Sequence, residues 1–292
     1  MNGMKTENTS RSVRRAISIL NCFLPNELDL SVGDIYRKTK IPKATIYRIL
    51  SALTEARLIC KNEISGRYAI GPELFLLGNL FLGTLNIVKI AEPVVKSLTE
   101  LTNEAFHLGI LNKGSMVLLM REECNQTVRV ALPLGTIRPA YASGMGKALL
   151  SELNDEEIDA LYPEEKLQPL TRYTIATRKA LKSDLKQIRE TGVSFDVWGS
   201  SEGATGIASM IRDAKGLAVA ALGVAVPDSR LDLAKRAIFA DIVKMGAKLI
   251  SYRLGFKNDH NPVQDFKEIR RYWTCKSTNS ARKANLSTVA SG

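Results

Sequence analysis

Leu30-Ser31-Val32-Gly33-Asp34-Ile35, and then Ile41-Pro42-Lys43-Ala44-Thr45-Ile46-Tyr47-Arg48-Ile49-Leu50, is the stretch on which the fold turns. Ser31 is placed to cap the amide of Asp34, Asp34 to reach back to Ser31, and Leu30 to pack on Ile35, which together write a helix start. That helix must stop by Ile41, because the residue before a proline avoids helical angles. Pro42 suits the first turn of the next helix, where its missing N–H costs nothing. Ile46, Ile49, Leu50 and Leu53 then share one apolar face, and Lys43, Thr45, Tyr47, Arg48 and Ser51 fall largely elsewhere.

Outward from this pair, Val13, Ala16, Ile17, Leu20 and Phe23 recur at helical spacing over 12–23, and Leu24-Pro25-Asn26 breaks the pattern. On the other side, 58–61 and 67–70 are short extended runs joined through Asn62 to Gly66, a small β-hairpin. Three helices followed by a hairpin is the order of a winged helix-turn-helix, here over 11–71. Gly71-Pro72 punctuates, and 73–83 reads as an apolar helix with Leu74, Leu77, Leu80 and Phe81. A helix this apolar needs a cover, so 72–86 is expected to be a linker that pairs with its copy in another subunit.

The segment 87–256 mixes periods. Ile90, Val94, Val95, Leu98 and Leu101 make an amphipathic helix, and 105–111, 115–121 and 127–132 read as consecutive strands. Ser143 and Asn154 each open a helix, and Thr177 starts another that closes near Gly192. Strands follow at 193–197, 204–212 and 217–226, then a long helix from Ser229 to about Leu254 with Gly255 as its cap. Helices flanking an antiparallel sheet define an α+β fold. Residues 257–292 are polar and basic, and they read as a mobile tail.

The 292 residues are 45% apolar and 24% charged, which excludes wholesale disorder. No run approaches the roughly 18 apolar residues of a membrane span, and the polar stretch Met1 to Ser10 is no secretory leader, so a cytoplasmic protein is expected. Four widely spaced cysteines argue against a disulfide scaffold or a zinc ribbon. The net charge of +11 is unevenly placed. Residues 1–86 hold 12 Lys and Arg against 7 Asp and Glu, 87–256 hold 22 against 20, and 257–292 hold 7 against 3. Basic ends around a nearly neutral middle favour a polyanionic partner without proving one.

Helix three matches that charge. Lys43, Ala44, Thr45, Tyr47 and Arg48 present side chains that read base edges or hold phosphates, and Arg67 on the wing is expected to reach a phosphate or the minor groove. An enzyme is the rival class. Gly144-Met145-Gly146-Lys147 has glycines and a lysine before a helix but lacks phosphate-loop spacing. His107 and His260 stand far apart, and no G-x-S-x-G occurs, so neither a catalytic group nor a cofactor is expected. His107, in an apolar strand, reads first as a hydrogen-bonded core residue. The competing functions are a DNA-binding domain fused to a small-molecule-converting enzyme, and a DNA binder that takes no ligand.

The order of motifs over about 11–256 resembles the IclR family of bacterial transcriptional regulators. The resemblance rests on 12–20, on 41–53, on Ala142-Ser143-Gly144-Met145-Gly146-Lys147-Ala148, and on Gly192-Val193-Ser194-Phe195-Asp196. Glu202-Gly203 through Ile207-Ala208 and the strand into Val226-Pro227 complete it. It implies a winged-helix reader of an inverted-repeat operator, a linker helix and a GAF-like effector domain, assembled as dimers or dimers of dimers. It also implies a pocket for a small organic acid formed by Gly144, Met145, Asp196, Gly206, Gly223 and Ala225. Family members that present cysteine at the Gly206 position and serines at Gly223 and Ala225 hold very small oxoacids through those side chains. Their absence here points to a larger or partly aromatic acid, with Arg138, Tyr141 and Trp198 nearby to serve it.

Overall fold

Ile19, Ile35, Ile46, Leu50 and Ile59 are fully or almost fully buried in one apolar cluster, where the first helices and the hairpin meet. The computed structural model describes residues 3–24, 27–84, 86–130, 132–257 and 262–289, without the side chains of 3–10, 79, 81–84 and 278–289. The chain divides into two compact units, 1–85 and 86–292. The first runs α1 (Gly3–Leu20), β1 (Asp29–Leu30), α2 (Val32–Thr39), α3 (Lys43–Glu55), β2 (Ile59–Lys61), β3 (Tyr68–Ile70) and α4 (Pro72–Thr84). The helix start at Ser31 forms as its chemistry requires: Asp34 N donates to Ser31 Oγ at 3.1 Å, and Ser31 N donates to Asp34 Oδ2 at 2.9 Å.

Three details differ from the expectation. Helix α1 ends at Leu20 rather than at Phe23, and Pro42 stands at the N-cap position just outside α3, not in its first turn. The hairpin also gains a third strand, since Asp29–Leu30 pairs antiparallel with β3 to give the order β1-β3-β2. The Pro25–Asn26 break, the Phe81 side chain and His260 lie outside the described residues.

The second unit runs α5 (Asn86–Thr102), β4 (Phe106–Asn112), β5 (Ser115–Glu122), β6 (Ile137–Pro139), α6 (Gly144–Leu150), α7 (Asp155–Leu161) and α8 (Arg178–Thr191). It continues through β7 (Ser194–Val197), β8 (Ala204–Arg212), β9 (Ala218–Pro227), α9 (Leu233–Arg253) and α10 (Phe266–Val289). Its sheet is antiparallel throughout, in the order β6-β5-β4-β9-β8-β7. Side chains alternate across a sheet, so Phe106, Leu108, Leu222 and Val224 fill one face, while Gly109, Ala208, Ala221 and Gly223 give the other face very little bulk. Helix α6 lies on that thin face.

Two expectations fail here. No strand forms at 127–130 or at Leu132. The third strand is instead β6, and Val128 and Leu134 are exposed on the connection that precedes it. The expected mobile tail holds α10, whose Ile269 is fully buried and whose Trp273 ring lies 5.6 Å from Phe239 of α9. Phe266, Ile269, Tyr272 and Trp273 keep helical spacing inside a polar composition, which is why the segment read as a tail.

Helix α6 approaches its neighbours at backbone distance. A methyl group on Gly146 would stand 2.2 Å from the carbonyl oxygen of Ala140. Gly146→Ala is therefore expected to destabilise the second unit by about 2 kcal/mol, read as a lower urea midpoint at unchanged slope.

Candidate functional site

On α3, Ile46, Ile49, Leu50 and Leu53 face the core, which turns the intervening residues outward. Lys43, Ala44, Tyr47 and Arg48 are exposed and Thr45 is half-buried. Tyr47 does not fold back onto α2; it is the Lys43 ammonium that sits over a ring there, 6.0 Å from the centre of Tyr36. The face is therefore basic, aromatic and unobstructed within its own unit. Arg67 is placed differently. Its Nε donates to Asp29 Oδ1 at 2.7 Å, its Nη2 donates to the carbonyl of Asp29 at 3.1 Å, and Nη2 lies 3.4 Å from Asp34 Oδ2. These contacts raise the Arg67 pKa and fasten the wing to the start of α2.

In the second unit, strand register gathers the other residues. Asp196 pairs with Gly206, and Gly206 with Ala225, so the three stand side by side on three strands and on one face. The next row inward on the same face is Ser194, Ala208, Gly223, His107 and Arg121. Helix α6 is set down on these rows. A methyl on Gly144 would lie 3.3 Å from the carbonyl oxygen of Gly206, and one on Gly223 would lie 2.7 Å from Met145 Cγ. All six expected effector residues thus belong to one patch. The space over Gly223, however, is filled by Met145. Gly206 and Ala225 are the half-buried positions, and they mark the open end of the patch.

The charges around that end are arranged by the loop after β7. Asp196 Oδ2 accepts from Ser200 N at 3.2 Å, and Arg138 donates to the Ser200 carbonyl at 2.8 Å. Burial pushes the Asp196 carboxyl up and pulls the Arg138 guanidinium down, and the attraction of Asp196 partly opposes the latter. Trp198 adopts a left-handed backbone (φ 64°), donates its indole N–H to Asp228, and packs edge-on against Tyr173 at 4.7 Å. Tyr141 is a core residue whose hydroxyl donates to the carbonyl of Gln168. Lys147, the lysine of the glycine-rich motif, is buried and committed to the fold, donating to Phe195 O at 2.7 Å and pairing with Asp184 at 2.9 Å.

Two groups escaped the sequence reading. The buried Glu104 and the half-buried Arg230 form a bidentate pair at 2.7 and 2.8 Å, across a separation that no motif signals. His107 is 2% exposed, and no group among the described residues hydrogen-bonds to its ring, contrary to the expectation of a hydrogen-bonded core histidine.

A winged helix-turn-helix with an outward basic face, joined to an α+β unit with a gathered, side-chain-poor patch, is the architecture of a ligand-responsive transcriptional regulator. Residues 12–63 match the IclR helix-turn-helix domain, and residues 80–252 match the C-terminal domain of the bacterial transcriptional regulator IclR. The chain belongs to the IclR family of bacterial transcriptional regulators. The HTH-type transcriptional repressor AllR of Escherichia coli K12 is 32% identical over 248 residues, which cover 85% of this chain and 92% of the relative. Among solved structures, an IclR transcriptional regulator from Silicibacter sp. TM1040 superposes with a TM-score of 0.75 at 23% identity, over 85% of this chain and 98% of its own. An IclR homolog from Microbacterium hydrocarbonoxydans, complexed with 4-hydroxybenzoate, gives a TM-score of 0.72 at 22% identity, over 83% and 98%.

Burial, followed by the charge of Arg121, lowers the His107 pKa from 6.5 to about 4, so the ring is neutral at neutral pH. As the pH falls from 6.5 towards 4, the unfolded chain takes up a proton that the folded site refuses, and stability falls. The loss should reach about 3 kcal/mol and stop below pH 4, where both states are protonated. Asp196, with its raised pKa, titrates in the opposite sense, so the loss is read as the difference between wild type and His107→Gln in urea unfolding across that range.

Proposed function

We propose that this protein is a cytoplasmic repressor that binds an inverted-repeat operator as a homo-oligomer, dimer or dimer of dimers, and is controlled by a small organic acid. The observation that carries the reading is the pairing of two faces: the exposed Lys43, Ala44, Tyr47 and Arg48 with the half-buried Thr45 on α3, and the patch of Gly144, Met145, Asp196, Gly206, Gly223 and Ala225. The repressor AllR supports the sign of regulation, and the 4-hydroxybenzoate complex of the Microbacterium homolog supports an acid as effector. The half-buried Arg138 is the cation for its carboxylate, and the low bulk at Gly206 and Ala225 leaves room for a ring or chain. An acid that favours one arrangement of the effector domains would change the spacing of the two readers and so the operator affinity. Turnover has no place in this reading. Among the described residues no His, Cys, Asp and Glu cluster is built to hold a metal, and no helix is long and apolar enough to cross a membrane.

The reader is tested by Arg48→Ala, which should cost 1–3 kcal/mol at the specific site, a loss of roughly 5- to 150-fold in affinity. The second unit should keep its own unfolding transition, and unchanged operator binding would remove Arg48 from the contact face.

The oligomer rests on α4, where Phe75, Leu76, Leu77 and Leu80 are all more than half or about half exposed. Four large apolar residues on one short helix call for a cover, and a second copy supplies an identical one. Leu77→Glu with Leu80→Glu should sediment as a smaller species and bind the inverted repeat weakly. A wild type that sediments as a monomer at micromolar concentration would end the argument.

A further inference from the structure

Helix α10 docks on α9 by one face and shows the other to solvent. Ile269 is fully buried, the Tyr272 hydroxyl donates to Asp241, and the Trp273 ring packs on Phe239. On the outer side Lys267, Arg270, Arg271 and Thr274 recur at helical spacing, and all four are exposed. The sequence of the helix, 266–289, carries six Lys and Arg against a single acid, Glu268. That carboxylate is turned to the helix start, where it accepts from Gln264 N at 3.1 Å and Asp265 N at 3.2 Å. Elsewhere in the second unit arginines are matched by carboxylates, as Arg178 is by Asp159, Arg212 by Glu152 and Arg230 by Glu104. Arg270 and Arg271 make no ion pair among the described residues, and Lys267 meets the Asp265 carboxylate at 3.9 Å.

We infer that the outer face of α10 is a second nucleic-acid surface, which holds the phosphate backbone of double-stranded DNA without reading its sequence. A fixed stripe of cations with no carboxylate set against it is complementary to a polyanion. Neutralising phosphates releases their counterions, a gain that needs no base contact. Other macromolecules suit the stripe less well. A helix that lies on a membrane buries an apolar face in lipid, and the apolar face of α10 is already covered by α9. A protein interface has an apolar or aromatic centre, which Lys267, Arg270, Arg271 and Thr274 do not offer. The body of the unit holds no comparable excess, since 87–256 carries 22 Lys and Arg against 20 Asp and Glu. The helix lies beyond residue 252, where the match to the family's C-terminal domain ends, so this surface is an addition to that domain.

The experiment titrates the full-length protein with a fluorescent random-sequence duplex of about 60 base pairs, by anisotropy, from about 50 to about 200 mM KCl. Lys267→Gln, Arg270→Gln and Arg271→Gln together should reduce the slope of log affinity against log salt by about 0.9 for each cation removed. The advantage of wild type over this variant should then be about 40-fold larger at the low salt than at the high. Lys186→Gln, Lys215→Gln and Lys235→Gln, which remove the same charge from exposed positions of the same unit, should leave the slope near that of wild type. The loss on α10 should be as large in the Arg48→Ala background, because α3 and α10 hold different phosphates. A second readout leaves α10 unaltered in sequence. Cys275 is exposed on the helix, and in Cys60→Ser the other two cysteines are buried. An aryl azide attached to Cys275 should therefore cross-link to the bound duplex on illumination. An unchanged slope, an equal loss in both triple variants, a label that does not cross-link, or a wild type that ignores the duplex at the low salt each overturn the inference, and none of them touches the sequence-specific role of α3. Wild type should also stay free of phosphatidylserine vesicles. Vesicle binding that is lost with the α10 cations, without a change in the DNA slope, would assign the stripe to a membrane instead.

Discussion

The close approach of α6 to the thin face of the sheet governs what the second unit can do. Gly146 lets the helix touch the carbonyl of Ala140, Gly144 seats it on Gly206, and Gly223 accepts the Met145 side chain. Side chains at those positions would force the helix away from the sheet. Once seated, α6 is tied by Lys147 to Asp184 of α8 and to the carbonyl of Phe195 in β7. Helix α6 is therefore coupled to the elements on either side of it. Packed interiors shift between discrete arrangements rather than deforming continuously, so any displacement of α6 involves α8 and β7 as well.

Much of the first unit was legible because its information is local. The Ser31–Asp34 box, the stop before Pro42 and the apolar face of α3 each lie within a few residues of what they determine. Strand β1 was not legible, because two residues paired with a distant hairpin carry no periodic signal. The same contrast runs through the second unit. Strands β8 and β9 read correctly from alternation, whereas the apolar run at 127–132 misled, because Val128 stays exposed and the pairing passes to β6. The expected effector residues came from the resemblance, and strand register brings those on the sheet side by side. Neither source could show that Met145 fills the space over Gly223 or that no group among the described residues hydrogen-bonds to the His107 ring, since both facts depend on side-chain packing between distant segments.

The reading head divides its arginines between two tasks. Arg48 and Lys43 make no ion pair among the described residues, so their charge is available to DNA at the cost only of ordering flexible side chains. Arg67 is already ordered, and its charge is balanced by Asp29 and Asp34. Exposed pairs of this kind are worth little each, but two carboxylates on one guanidinium hold the wing in register with α2. The wing is thus held as a fixed shape beside α2, whereas the charges of Lys43 and Arg48 on α3 stay outside any ion pair among the described residues.

Helix α10 changes the character of α9. An outer helix lying on a sheet normally keeps one polar face towards solvent. Along α9, Ile242, Val243, Leu249 and Ile250 are buried, as is Phe239, which turns instead to the Trp273 ring, and Asp241 accepts from the Tyr272 hydroxyl at 2.5 Å. The segment matching the family domain ends at residue 252, so the helix that covers this second side lies beyond it. An α9 held between sheet and α10 resists displacement from either side.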